Sequence, residues 1–323
     1  MKLGVLSEAL GDLSFADACR WLKDHGADRI EIGTGGYPGN VHCNPDLLLE
    51  SELELEKFCE ELKRNELEIS AFSCHGNMVH PDASKAGKFR EDFQKTLRLA
   101  EKLDVHIVNT FSGCPGGSPV DRQPNWVTCP WPEEYSEILD YQWNDVLLPF
   151  WKKQAKEAES AGVNQIALEL HPGFCVYNTR TMLRLRKEVG KTIGANLDPS
   201  HLIWQGMDPA LCIRQLGAQG AIFHFHAKDT AVDPYRTAEN GVLDTEHYSN
   251  EGQRSWIFRT VGYGHGEEYW KNIISSLRLA GYDGTVSIEH EDSLMSGKEG
   301  LEKAMQFLKR ILIFEKAGDM YWA

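Results

Sequence analysis

Ionisable side chains lie near the ends of four successive β-like runs in the second half of the chain. The runs "IALELHP", "ANLDPSH", "FHFHAKD" and "VSIEHED" place Glu169, Asp198, His226 and Glu289 among apolar neighbours. A carboxylate in such surroundings is costly to bury unless it is paired or bound to a metal ion. Two Glu, one Asp and one His form a hard, oxygen-rich ligand set, which suits Mn²⁺, Mg²⁺ or Co²⁺, with Zn²⁺ as an alternative. The pattern therefore predicts a site for a divalent metal ion.

The elements that must position these residues follow a regular alternation. Helix-like segments separate eight β-like runs, which cover 2–8, 29–35, 67–76, 106–113, 164–172, 193–201, 221–229 and 284–292. The helix-like segments cover 14–25, 45–64, 82–103, 132–160, 179–189 and 267–280. Such an alternation predicts parallel βαβ units, and eight units are the number that closes a (β/α)8 TIM barrel. We expect one α/β domain over residues 1–323.

A glycine-rich segment and two long connections add detail to the predicted barrel. An open doubly wound sheet would carry a Gly-rich phosphate loop, but "EIGTGGYPGN" (31–40) lacks the G-x-G-x-x-G spacing. Two long connections, at about 114–132 and 230–265, follow predicted strand ends. In a barrel enzyme the chemistry lies at that end of the strands. We therefore expect both connections to cover the mouth of the barrel.

Composition narrows the classes of partner and compartment. The 323 residues carry a net charge of −14, which disfavours nucleic acid and anionic membranes as partners. The eight cysteines form no C-x-x-C pair, and the chain begins without an apolar segment of signal-peptide length, so we expect reduced thiols in a cytoplasmic protein. The apolar end "GDMYWA" either packs across a subunit interface in a homo-oligomer or folds back on its own barrel.

The motifs at the strand ends resemble those of a known family. They are the Glu of "ALELHP", the D-x-x-H of "DPSH", the H-x-K-D of "HAKD" and the Glu of "SIEHED", with "RTVGYGHG" (259–266) ahead of the last helices. Together they resemble the sugar phosphate isomerase/epimerase group of the xylose isomerase-like TIM barrel superfamily. Ketose 3-epimerases, inosose dehydratases and type IV apurinic/apyrimidinic endonucleases are relatives. The resemblance spans nearly the whole chain.

The resemblance implies a role for each strand-end residue. It makes Glu169, Asp198, His226 and Glu289 the ligands of one divalent ion, for which we expect Mn²⁺. His224 and His226 share one strand face, about 6.6 Å apart along the strand, and His224 lies one layer deeper as support. For Glu31, a hydrogen bond at the mouth of the barrel and a contact with the substrate are equally expected. The predicted substrate-binding residues are His75, Asn77, Trp126, His201, Lys228 and Arg259.

The implied function is metal-dependent isomerisation or epimerisation of a ketose or related keto-sugar. The metal ion would stabilise an enediolate, while Glu169 and Glu289 act as acid and base on opposite faces of the substrate carbon. The alternative is a lyase or dehydratase acting on an inosose or a 3-keto-glycoside, because proton abstraction next to a carbonyl also begins an elimination. In either case the partner is a small sugar or cyclitol.

Two further functions are less favoured. An endonuclease of the apurinic/apyrimidinic class would use a similar set of multi-zinc ligands, namely His75, Glu169, Asp198, His201, His226 and Glu289. However, "NTFSG" ends the fourth run where that family has a histidine, and no D-x-H follows "HAKD". A sugar-binding protein on an inactive barrel is disfavoured because all four ligand positions are intact.

Overall fold

Eight parallel strands close into a barrel at the centre of the molecule, for which a computed structural model describes residues 1–322. The barrel strands are β1 (Lys2–Leu6), β2 (Arg29–Gly33), β3 (Glu68–Ser73), β4 (Ile107–Thr110), β5 (Gln165–Glu169), β6 (Ile193–Leu197), β7 (Ile222–Ala227) and β10 (Thr285–Ile288), with β10 lying between β7 and β1. A separate antiparallel pair consists of β8 (Asp229–Val232) and β9 (Trp256–Arg259). The predicted TIM barrel is confirmed, with each barrel strand inside one of the eight predicted runs.

Helices surround the barrel and cover the outer face of its strands. They are α1 (Phe15–Asp24), α2 (Pro45–Glu50), α3 (Glu52–Arg64), α4 (Ala83–Leu103), α5 (Glu133–Asp140), α6 (Leu148–Ser160), α7 (Thr179–Val189), α8 (Pro199–Trp204), α9 (Pro209–Gly217), α10 (Pro234–Asn240), α11 (Glu267–Leu279) and α12 (Gly297–Ile311). Short 3-10 helices cover Ser7–Leu10 and Glu251–Gln253. The strands are buried on both faces, which explains why their sequences are nearly continuous apolar runs.

Three predicted segments differ from the structure. The helix expected over 45–64 breaks at Ser51, whose side chain accepts a hydrogen bond from the Glu54 N–H and so starts a second helix. The helix expected over 132–160 contains a π-helical segment, Tyr141–Leu147. The long connection 230–265 is also more ordered than a loop, since it contains most of β8 together with α10 and β9.

The buried carboxylate of Asp229 holds in place the segment that follows the antiparallel pair of β8 and β9. Its Oδ2 accepts hydrogen bonds from the backbone N–H groups of Gly262, Gly264 and His265 at 3.1, 3.2 and 2.9 Å, and from the Trp270 indole at 2.9 Å. A Cβ at Gly264 would lie 2.4 Å from the carbonyl oxygen of Thr230, so a larger residue does not fit there. The segment "RTVGYGHG" is therefore wrapped around one carboxylate.

We expect Asp229→Ala to lower the free energy of unfolding by about 3 kcal/mol or more, because several buried donors lose their acceptor at once. Urea denaturation followed by circular dichroism measures the change. Asp233→Ala is the matched control, since Asp233 caps the exposed helix α10 and its loss should cost about 1 kcal/mol. Equal losses for the two variants would contradict this organising role.

Other sequence expectations concern the cysteines, the chain end and membranes. Within residues 1–322 all eight cysteines are free thiols. The side chains of Met320, Tyr321 and Trp322 are exposed, so this end does not fold back onto the barrel. No helix in the described part of the chain combines the length and the apolar character needed to cross a membrane.

Candidate metal centre

Four side chains converge where the barrel strands end. Glu169 is the last residue of β5, His226 lies in β7, and Asp198 and Glu289 directly follow β6 and β10. Each offers one potential ligand atom, and these four atoms all lie within 4.8 Å of one another. Three of the side chains are almost completely buried, whereas Glu289 is 16% exposed. We refer to these four residues as the ligand cluster.

Glu31 fixes the orientation of the His226 imidazole and thereby which ring nitrogen faces the ligand cluster. Its carboxylate lies 2.9 Å from His226 Nε2, and it accepts further hydrogen bonds from Ser73, Asn109 and Ser287. A proton on Nε2 therefore satisfies Glu31, and Nδ1 lies 2.9 Å from a Glu289 oxygen and 3.6 Å from a Glu169 oxygen. Burial opposes the charge of the ring, but Glu31 and Glu289 raise the pKa of His226 well above its usual value, so Nδ1 also carries a proton and donates it to Glu289. A cation bound among these carboxylates would take the place of that proton on Nδ1.

His224 lies below His226 and has different partners. Its Nδ1 is 3.2 Å from Asn196 Oδ1, and its Nε2 is 3.4 Å from the hydroxyl of Ser70. Burial lowers the pKa of His224 to about 4, so the ring is neutral at neutral pH. Among the described residues, His224 makes no hydrogen bond to His226. Glu31 orients His226 by a direct hydrogen bond.

Lys228 brings a buried positive charge to the ligand cluster. Its Nζ lies 2.8 Å from Glu289 Oε2, 2.7 Å from Glu291 Oε2 and 3.1 Å from Asp198 Oδ2. Burial opposes the charge, but these carboxylates raise the pKa of Lys228 well above its usual value. Burial likewise opposes the charge of Glu289, yet Lys228 and His226 lower its pKa to about 2. Both groups are therefore charged at neutral pH.

Asp198 keeps an acceptor atom without a hydrogen bond. Its Oδ1 accepts the N–H of Ser200 at 2.8 Å and starts helix α8, whereas its buried Oδ2 has no hydrogen-bond donor in the described part of the chain. The contact of Oδ2 with Lys228 is an ion pair without hydrogen-bonding geometry. Burial outweighs Lys228 and raises the pKa of Asp198. A cation next to Oδ2 would stabilise the carboxylate form, so this residue also fits a metal site.

Two histidines flank Glu169. His201 Nε2 lies 2.9 Å from Oε1 of this carboxylate, and His75 Nε2 lies 3.1 Å from Oε2. Although burial opposes it, both histidines lower the pKa of Glu169 well below its usual value. Both were predicted from the sequence to bind substrate, and the structure places both next to the ligand cluster. Glu169 is therefore held as an oriented carboxylate next to His226.

Three of the proposed substrate-binding residues lie elsewhere. Asn77 both donates to and accepts from the backbone of Cys114, at 2.8 and 3.0 Å, and so fastens the long connection after β4. Arg259 Nε donates to Asp292 at 3.0 Å. Trp126 packs edge-on against Tyr177 beside a different cavity. All three side chains therefore have partners outside the ligand cluster, and their role in substrate binding stays a prediction.

A cavity of about 210 Å³ lies above the ligand cluster. Its lining includes Glu169, Glu289, His75, Phe111, Tyr37 and Glu8. Glu8 was not recognised as a site residue although it ends the first predicted run; in the structure it lies in the 3-10 helix Ser7–Leu10. Burial raises the pKa of its carboxyl group to about 8, so this group is largely neutral at neutral pH. The mouth therefore combines ionised carboxylates at the cluster with a neutral acid on the rim.

Comparisons with known proteins agree with this architecture. The family model for the xylose isomerase-like TIM barrel matches residues 19–311. The uncharacterized protein YfiH of Bacillus subtilis (strain 168) is 40% identical over 315 residues, which are 97% of this chain and 99% of YfiH.

Solved structures with the same fold are more distant in sequence. A D-tagatose 3-epimerase-like protein superposes with a TM-score of 0.62 at 22% identity, covering 96% of this chain and 98% of that one. The IolI protein, crystallised with a bound zinc atom, gives a TM-score of 0.66 at 19% identity, covering 97% and 98%. At these identities the likeness shows the fold.

Proposed function

Because this chain belongs to the xylose isomerase-like TIM barrel family, we propose that it is a divalent-metal-dependent isomerase or epimerase of a keto-sugar. The observation that carries the proposal is the placement of Glu169 and Glu289 in one ligand cluster. They come from β5 and β10, which are separated in the barrel by β6 and β7. Two carboxylates that approach from different sides can address two faces of one substrate carbon.

The ligand cluster would hold one divalent ion, and we propose Mn²⁺, with Mg²⁺, Co²⁺ or Zn²⁺ as alternatives. Support comes from Nδ1 of His226, which faces two carboxylates of the ligand cluster while Glu31 holds Nε2, and from Oδ2 of Asp198, which accepts no hydrogen bond among the described residues. When bound, such an ion would polarise a ketone oxygen and make the neighbouring C–H more acidic. The IolI protein, which has the same fold, was crystallised with a bound zinc atom.

The two glutamates are suited to different parts of a proton transfer. Glu169 is almost completely buried and is oriented by His75 and His201, so it would take the proton from the substrate carbon. Glu289 is 16% exposed, so it can exchange protons with solvent and return one to the other face. Lys228, next to Glu289, would hold a substrate oxygen. A proton removed on one face and returned on the other inverts the carbon.

Metal analysis and product identification test this proposal together. The protein would be stripped with EDTA, reloaded with single divalent ions and incubated with a panel of ketoses and inososes in D₂O. We expect activity only in the reloaded protein, and a product that carries deuterium at the inverted carbon. Absence of metal binding, or isomer formation that persists in the stripped protein, would contradict the proposal.

Glu31→Gln should weaken Mn²⁺ binding by about 10- to 100-fold, because the residue that orients a metal-binding histidine contributes at this level. Isothermal titration calorimetry of the stripped protein measures the affinity directly. Glu56→Gln is the control, since this glutamate is exposed on helix α3. An unchanged affinity in Glu31→Gln would show that His226 does not use Nδ1 as a ligand.

A lyase is the second candidate function, and a specific observation favours it. A further cavity adjoins the mouth and provides space beyond a free ketose. The same proton abstraction by Glu169 would then be followed by loss of a hydroxyl group or an aglycone from the neighbouring carbon. Release of water or of an alcohol, measured by mass spectrometry, separates this reaction from isomer formation.

A further inference from the structure

A second cavity, here called the side chamber, lies next to the cavity above the ligand cluster. It has a volume of about 420 Å³ and is lined by His171, Tyr248, Ile257, Phe258, Glu291 and Ser293. Glu291 lines both cavities, so the two spaces share a wall. Half of the lining residues come from β9 and the segment before it, which were expected from the sequence only as a long connection.

Direct contacts connect the side chamber to the ligand cluster. Lys228 donates to Glu291 at 2.7 Å and lies 4.7 Å from the centre of the Phe258 ring. On the other side, the ring of His171 lies 4.1 Å from the ring of His201, the partner of Glu169. The residues that line the side chamber therefore contact Lys228 and His201, the direct partners of the ligand cluster.

The walls of the side chamber favour a flat group. Tyr248 and Phe258 lie nearly parallel, with an interplanar angle of 16° and 6.1 Å between ring centres. Glu291 is the acidic lining residue, whereas Lys228 and Arg254 lie against the aromatic walls, 4.7 Å from the ring centre of Phe258 and 4.2 Å from that of Tyr248. The two aromatic rings are therefore the surface that a flat substituent would contact.

We propose that the substrate is a keto-glycoside, with its sugar ring at the ligand cluster and a neutral, apolar or aromatic aglycone in the side chamber. The identity of the sugar as a ketone rests on the proposed function, whereas the aglycone site rests on the side chamber itself. Aromatic rings stack well on sugars and on aryl groups, so Tyr248 and Phe258 supply the contact surface.

Binding of two stable glycosides tests the side chamber without any turnover. Phenyl β-D-glucopyranoside and methyl β-D-glucopyranoside carry the same sugar and differ in the aglycone. We expect the phenyl compound to bind the Mn²⁺-loaded protein at least tenfold more tightly by isothermal titration calorimetry. Tyr248→Ala should reduce this preference to about twofold, and Ser293→Trp, which fills the side chamber, should abolish it. Tyr235→Ala, at an exposed tyrosine of α10, should retain it.

The outcomes separate this inference from the proposed function. Equal affinity for the two glycosides, or no binding of either, overturns the aglycone site even if ketoses are isomerised. A phenyl preference that Ser293→Trp leaves intact also overturns it. A phenyl preference that depends on Tyr248 supports the site, even when no keto-sugar is converted and the proposed reaction fails.

Discussion

Replacing either Glu169 or Glu289 with glutamine should lower kcat by about 10²- to 10⁴-fold at saturating Mn²⁺, the usual contribution of a general acid or base. In the proposed mechanism, each carboxylate serves one face of the substrate carbon. The measurement is product formation with the best substrate of the ketose and inosose panel. Glu56→Gln on the surface should keep full activity.

Isotope exchange makes this prediction sharper. In Glu289→Gln, Glu169 can still remove the proton and return deuterium from D₂O to the same face. We therefore expect the recovered substrate to gain deuterium although no isomer forms. In Glu169→Gln the buried base is lost, and exchange should fall together with turnover. Full activity in both variants would refute the two-base mechanism, and a loss explained by lost Mn²⁺ affinity would assign both residues to metal binding alone.

We expect Lys228→Met to lower the free energy of unfolding of the metal-free protein by about 3 kcal/mol, because buried carboxylates lose their counter-charge. Lys228 is 2% exposed and contacts Asp198, Glu289 and Glu291. Urea denaturation in EDTA measures the change. The exposed pair of Lys298 with Asp12 provides the control, and Lys298→Met should cost less than about 1 kcal/mol.

The pH dependence of this loss follows from Glu289. Its pKa is lowered to about 2 in the folded protein, so ionised Glu289 stabilises the fold above its unfolded pKa, which is near 4.5. That contribution disappears as the pH falls toward 2. Without Lys228 the folded pKa rises, so the difference between wild type and Lys228→Met should be largest at neutral pH and shrink below about pH 4.5. A difference that grows in acid would contradict the proposed pairing.

The barrel and the location of the ligand cluster could be predicted from the sequence because both are local signals. Each barrel strand is a short apolar run followed by a helix-like segment, and eight repeats permit few arrangements. A glutamate such as Glu169 within an apolar run is conspicuous because its burial is costly. Parallel strands bring their carboxyl ends to one mouth, so Glu169, Asp198, His226 and Glu289 were expected to lie close together, as they do.

Only the tertiary structure shows which side chains contact one another at the site. Glu31 and His226 are 195 residues apart, and their contact exists because both side chains point into the closed barrel. Asn77 and Arg259 have ordinary binding-site chemistry, but neighbouring segments brought together by the fold provide Cys114 and Asp292 as partners.

The side chamber also could not be predicted from the sequence. His171, Phe258 and Glu291 come from three separate segments, and none carries a sequence signal of a shared cavity. A strand pattern fixes which face a side chain occupies, whereas a cavity depends on which distant segments meet and on the volume they leave between them. The ionisable side chains that gather at the mouth could therefore be identified from the sequence. The shape and volume of the cavities around them were decided by long-range packing.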